Sequence, residues 1–360
     1  EYYQKYQKEH GPNVRIAEIL ANKYLESEKF DLAYDQLLIL EAQSDDPLNA
    51  KVKIALILIE RKDFDQAVNK LKEILELAPE SDKIRFYLGA VYEETKQHQL
   101  AVEEYSKLTS ASSFYDEAIV HQGYLLKQMK NYKKARAHLE QALEERKDIP
   151  QLYSLLASVR EETKDYDKAI EVLKPAIERF PENVQIRFYH ASLYDKKGDK
   201  EKMLIEMKKV LAMDPNHIQA LNYLAYSMAE MDLGLEDAEK MARRALAFEP
   251  ADGYILDTLG WVLFKKGNSK EAIRYLEAAF KKQPEESTIA EHLGDAYYQN
   301  QLTEKAKRMY QRAMEVEVDA SRKQELRSKI SAIDKQESDK SRLPASLPQN
   351  KLTSFEQSKK

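Results

Sequence analysis

Residues that could do acid, base, nucleophilic or metal chemistry are scattered along this chain of 360 residues. The seven histidines are His10, His98, His121, His138, His190, His217 and His292. No two stand four apart, and none sits in an H-E-x-x-H phrase, so neither a zinc site nor a histidine-centred acid/base couple is signalled. Glu93-Glu94 and Glu161-Glu162 pair carboxylates, but adjacent residues of a helix point in different directions and read as solvated faces. The absence of cysteine excludes disulfides, thiolate metal sites and a cysteine nucleophile together. Nine glycines are too dispersed to build a phosphate-cradling loop. No catalytic residue, metal ligand set or cofactor is expected.

Charge narrows the partners. Lys+Arg 57 against Asp+Glu 62 leaves a net charge of -5, with both signs interspersed and no basic stripe of the kind nucleic-acid binding requires. No run of 18 apolar residues is present, so no membrane-spanning helix is expected. The chain opens on Glu1, which leaves room for a signal or lipid-attachment segment upstream. That opening and the lack of cysteine favour a periplasmic or outer-membrane-associated location over a cytoplasmic one.

The elements that must position any site are announced by a period. Small residues recur at Ala33, Ala67, Ala101, Ala135, Ala169, then Met203, then Ala238, Ala272 and Ala306. A second series runs Ala21, Ala55, Gly89, Gly123, Ala157, Ala191, Ala225, Gly260 and Gly294. Both step by 34 residues except for one step of 35 in the seventh copy. The stretch from Asp252 to Glu285 states the unit most clearly. Ile255, Leu256, Leu259, Val262 and Leu263 recur at helical spacing, then Lys266-Gly267-Asn268 breaks the pattern. A second helix follows with Ala272, Ile273, Leu276, Ala279 and Phe280 on its apolar face. Asn268 with Glu271 has capping-box spacing, and Pro284 stops the helix. Such a hairpin has apolar surface on both sides and needs neighbours.

Leu88-Gly89 with Tyr92 and Ala101 with Tyr105, then Leu293-Gly294 with Tyr297 and Ala306 with Tyr310, carry a resemblance to tetratricopeptide repeat proteins. The resemblance spans nine repeats, at about 14–47, 48–81, 82–115, 116–149, 150–183, 184–217, 218–252, 253–286 and 287–318. It implies an all-α fold, a right-handed solenoid of stacked helix-turn-helix hairpins rather than two or three separate domains. An N-terminal helical segment is expected over 1–13, a capping helix over 319–336 with Leu326, Ile330 and Ile333 on one face, and a disordered tail over 337–360. Met203, His190 and Gln122 depart from the pattern and are expected to pack less regularly. The Ser-rich, proline-free connection TSASSFYDEA should loosen the stack, and the extra residue within 231–235 should lengthen the turn of repeat seven.

The resemblance also implies a binding face, the concave stripe of the first helices. Its expected residues are Phe86, Tyr87, Tyr124, Phe188, Tyr189, Asn222, Tyr223, Tyr226, Asp257, Trp261, Glu291 and Asp295. Aromatic rings interrupted by polar groups suit an extended peptide or a partner helix. About half of these rings are expected to fill inter-helix core. The carboxylate clamp by which some relatives grip chaperone tails is not matched, since the first three repeats offer Glu18 with Asn22, Lys53, and Lys83 with Tyr87. A basic or neutral polar partner is expected. The implied function is a non-enzymatic scaffold or adaptor. The stretches NYLAYSMAEM and DGYILDTLGWVLFKKG are similar to the C-terminal repeats of bacterial outer-membrane tetratricopeptide lipoproteins, which implies envelope assembly or delivery to a protease. The alternative is a component of polysaccharide secretion whose groove stacks on sugars.

Overall fold

The computed structural model describes residues 2–342. Among them are twenty α-helices and no strand. The first helices of the hairpins are α2 (Val14–Glu26), α4 (Leu48–Glu60), α6 (Asp82–Glu94), α8 (Tyr115–Gln128), α10 (Pro150–Glu162), α12 (Val184–Lys197), α14 (Ile218–Glu230), α16 (Gly253–Lys265) and α18 (Ser287–Gln299). Their second helices are α3 (Phe30–Gln43), α5 (Phe64–Leu77), α7 (His98–Tyr105), α9 (Tyr132–Glu145), α11 (Tyr166–Arg179), α13 (Lys200–Met213), α15 (Leu235–Phe248), α17 (Ser269–Lys282) and α19 (Thr303–Val316). The hairpins are flanked by α1 (Tyr2–His10) and α20 (Ala320–Arg342). The chain divides into two compact units, the first ending at Met203 and the second starting at Leu204.

In both units the small residues of the two series are buried, among them Ala55, Ala67 and Ala101 in the first and Ala225, Ala238 and Ala272 in the second. They let paired helices approach closely enough for the leucines between them to interlock. Within the first unit α8 and α12 both pack on α10, and within the second α14 and α18 both pack on α16. First helices therefore line one face of each unit. Asn268 does not form the expected capping box: its side-chain amide donates to Glu271 Oε2 at 2.9 Å and makes no bond to a backbone amide. The Asn268 backbone N–H is spent on Leu263 C=O at 2.9 Å, and the Glu271 carboxylate on the Asn268 side-chain amide and on Arg243, so neither half of the box is made.

One turn recurs at the end of the first helices. Asp63 N–H reaches back to Leu58 C=O, Gln97 to Tyr92, Asn131 to Leu126 and Asp165 to Arg160, the six-to-one bond that closes a helix around a left-handed residue. That residue is Lys62, Lys96, Lys130 or Lys164, with φ of 58–60°. Glycine holds the equivalent place at Gly198 and Gly267. A side chain there costs roughly 1 kcal/mol against glycine, partly offset by glycine's greater freedom in the unfolded chain. Combining Lys62→Gly, Lys96→Gly, Lys130→Gly and Lys164→Gly is expected to stabilise the first unit by about 1 to 3 kcal/mol, read as a rise in urea midpoint. An unchanged or lower midpoint would show that the lysines relieve the strain through contacts of their own.

Repeat seven carries its extra residue in this turn. Leu233 N–H closes on Met228 C=O as elsewhere, and Gly234 follows with a second left-handed φ of 51° after that of Asp232. A Cβ on Gly234 would meet only the flexible end of Met228, 2.8 Å from its Cε, so what favours glycine there is the left-handed φ rather than space. Of the off-pattern positions, Met203 and His190 are buried and Gln122 is half-buried.

The third hairpin departs from the others. α7 has 8 residues where its counterparts have 14, and residues 106–114 run irregularly before α8. Leu108 turns back into the core at 4 % exposure, and Phe114 stacks on Phe86 with ring centres 5.2 Å apart. α20 buries Leu326 and Ile333 and runs to Arg342, past the boundary expected at 336. The rest of the expected tail lies outside the described residues.

Candidate functional site

In the first unit the first-helix face is organised by one tyrosine. Position 105 belongs to the register that holds Leu71, Leu139 and Leu173 in neighbouring hairpins. A tyrosine fits because Gly89 lies opposite: a Cβ there would stand 2.7 Å from Tyr105 Cε1. The ring passes beneath the glycine, and its hydroxyl emerges on the far side to donate to Glu93 Oε2 at 3.1 Å. His121 Nδ1 meets the same oxygen at 2.9 Å. Phe86 and Tyr105 hold the imidazole between them, with ring centres 6.2 and 5.6 Å away. Burial and the Glu93 carboxylate hold the Tyr105 phenol far above its usual range, so it remains a hydrogen-bond donor.

Beside this cluster opens a cavity of about 620 Å³, within the range of pockets that take specific ligands. Its apolar walls are Val120 and Tyr124 of α8, Pro150 and Leu155 of α10, and Ile186 of α12. Hydrogen-bonding side chains, Gln151, Ser154 and Gln185 among them, are interleaved, and Glu93 with His121 closes one end. Tyr124 is the exposed ring of the set at 50 %. Phe86 packs half-buried against the core, and Tyr87 carries Lys83 Nζ over its ring at 5.7 Å. Tyr189 donates to Glu161 Oε2 at 2.6 Å, with its phenol raised by burial and that carboxylate. Phe188 is half-buried on the same helix. Of the five residues expected in this unit, Tyr124 lines the cavity and Phe86 supports its closed end through His121. Tyr87, Phe188 and Tyr189 lie outside its lining.

The second unit fills the corresponding face with its own side chains. Trp261 is 7 % exposed and Asp257 5 %. The indole lies flat on His292, ring centres 3.9 Å apart at 13°, with Phe264 stacked at 4.9 Å. Its Nε1 donates to Glu230 Oε1 at 2.6 Å. His292 Nδ1 is held by both oxygens of Asp257 at 3.0 Å. Tyr226 stands 6.0 Å from His292, its phenol raised by burial and by Glu230, Asp257 and Glu291. Asn222 and Tyr223 are half-buried on α14. Glu291 pairs with Arg322 and Lys329 of α20, and Lys329 also holds Asp295 at 2.6 Å. Tyr310 repeats the arrangement of Tyr105, passing beneath Gly294 to donate to Asp295 at 2.7 Å. Among the described residues no hydroxyl or thiol bonds to the Asp257–His292 pair, and no cluster could hold a metal ion.

Sequence reasoning missed Glu93 and His121 as partners and the cavity beyond them. The signal available was the coincidence of Gly89 with Tyr105, a missing side chain opposite an oversized one.

Family models described as tetratricopeptide repeat match residues 58–118 and 126–188, and again 159–218 and 258–315, together more than half of the chain. A tetratricopeptide-repeat-containing protein of Pseudomonas aeruginosa is 34% identical over 76 residues, which covers 21% of this chain and 13% of that relative. Among solved structures, the C-terminal part of a repeat protein from Cytophaga hutchinsonii aligns with a TM-score of 0.56 at 15% identity. That alignment covers 69% of this chain and 99% of that one. A repeat protein from Parabacteroides merdae aligns with a TM-score of 0.49 at 13% identity, over 79% and 98%.

Proposed function

The chain belongs to the tetratricopeptide repeat family, and from that premise we propose that it is a non-enzymatic scaffold whose first unit receives a peptide segment of a partner protein. Proteins of this family mediate protein–protein interaction. The observation that carries the proposal is the cavity between α8, α10 and α12, which offers apolar walls, interleaved hydrogen-bonding groups and an exposed tyrosine on consecutive first helices. An extended chain presents side chains to such walls while its amides meet Gln151, Ser154 and Gln185. Aromatic anchors at the edge of a pocket contribute large contact area at small entropic cost.

Tyr124→Ala tests the assignment because the ring is half exposed, so its loss should leave the melting curve near that of the wild type. Selection from a random peptide library on the full chain is expected to enrich binders, and their affinity for Tyr124→Ala should fall about thirtyfold, the roughly 2 kcal/mol of a hot-spot truncation. Equal affinity for both proteins would move the site elsewhere. Retention of polysaccharides in place of peptides would overturn the proposal.

A further inference from the structure

The lining of the first unit's cavity is asymmetric in charge. Among the described residues one carboxylate, Glu93, borders it, and no lysine or arginine does. That carboxylate is fixed in place, because Tyr105 from the core and His121 from the next first helix both bind its Oε2. Its Oε1 takes no hydrogen bond from any described residue, and the side chain is 24 % exposed. Tyr105 remains protonated, so it orients the carboxylate without cancelling its charge. Val120 of α8, Leu155 of α10 and Ile186 of α12 give the cavity an aliphatic lining that extends across the first helices beyond Glu93. The side chains of Gln151, Ser154 and Gln185 have no partner among the described residues and are left for an incoming backbone. Ser158 and Asn183 are already committed, the first to Leu155 C=O and the second to the amide of Ile186.

We infer that this cavity, if it is the peptide site proposed above, selects an internal, cationic segment: aliphatic side chains against Val120, Leu155 and Ile186, with a lysine or arginine toward the α6 side seated on Glu93 Oε1. An acidic segment or a free C-terminal carboxylate finds no lysine or arginine among the described lining residues and must surrender hydration next to a fixed negative charge. A hydrogen bond between charged groups in a partly shielded site contributes more than a neutral one, and a pre-oriented acceptor loses little freedom in making it. Glu93 is thus a specificity-determining residue, set in position by a buried tyrosine.

The test uses arrays of short acetylated and amidated peptides with a fixed central leucine, in which Lys, Gln or Glu is scanned through every other position. These are probed with the full chain. The wild type is expected to bind the best lysine peptides at least tenfold tighter than their glutamate counterparts, and amidated peptides tighter than the same peptides with a free carboxylate. Glu93→Gln keeps an acceptor for Tyr105 and is expected to abolish the charge preference while retaining neutral peptides. Glu93→Lys is expected to reverse it. If neutral peptides bind and Glu93→Gln leaves the preference unchanged, the role of Glu93 is wrong and the peptide site stands. If peptides of no charge class bind, both fail.

Discussion

Trp261→Ala is expected to lower the stability of the second unit by about 3 to 5 kcal/mol, the usual cost of removing a large buried aromatic side chain. The indole is nearly inaccessible, is stacked between His292 and Phe264, and is tied through Nε1 to Glu230. Its removal would also admit water beside the Asp257–His292 pair, which is buried and oriented by that stack. A domain is typically stable by only 5 to 15 kcal/mol, so the unit should lose much of its cooperativity. Trp261→Phe, which keeps a ring against His292 and loses the bond to Glu230, is expected to cost about half as much. Urea unfolding followed by circular dichroism measures both. A change below about 1 kcal/mol for the alanine variant would mean the indole is a surface ring after all, available to a partner.

Truncation after Val318, which removes α20, is expected to destabilise the second unit and promote aggregation. Leu326 and Ile333 would no longer cover α19, the Tyr310 ring would lose Lys329 above it at 5.3 Å, and Glu291 and Asp295 would lose their cations. Capping elements of repeat arrays are required for this reason. Leu326→Asp with Ile333→Asp in the full chain should reproduce the effect, which separates loss of the apolar seat from loss of chain length. The attachment should also be acid-sensitive. Glu317, between α19 and α20, accepts from Ser287 and from the amides of Asp319 and Val318. These bonds lower its pKa from 4.5 to about 2. A carboxylate depressed on folding stabilises the native state above its unfolded value, and that contribution is lost as pH falls through the folded one. The seat of α20 is expected to loosen between about pH 4.5 and 2, measured as a fall in melting temperature that Glu317→Gln abolishes. A cap that melts with the same midpoint in both proteins across that window would remove Glu317 from the attachment.

The hairpins were legible because their constraint is local and repeated: small residues at Ala55 and Ala67, or Gly260 and Ala272, are needed wherever two helices must touch. The turn of repeat seven was legible for the same reason, as one residue too many in a fixed count. What was not legible depends on residues far apart in sequence. Glu93 and His121 are 28 residues apart, and nothing in either helix marks the other. Trp261 and Tyr124 looked alike as aromatic residues on first helices, yet one is enclosed and the other open. The difference lies in what stands across the face, His292 and Phe264 in one case and a cavity in the other. Glu291 and Asp295 were legible as polar interruptions of the stripe, whereas their use as anchors for α20 required knowing where Arg322 and Lys329 fall.

The short α7 has a consequence for how the first unit opens. In a stack where each hairpin is supported by its immediate neighbours, free energy is stored in successive interfaces, and the array parts where an interface is thinnest. The lost turns of α7 remove backbone hydrogen bonds and apolar cover at one such interface, leaving Leu108 and Phe114 to bridge it. Amide protons of α6 and α8 should therefore exchange through a local opening that spares α4 and α10. The cluster of Glu93, Tyr105 and His121 sits on that seam. A ligand that spans Glu93 and Ile186 would close it, so occupancy of the cavity would be felt as slower exchange along the whole of α6 and α8, beyond the few residues the ligand touches.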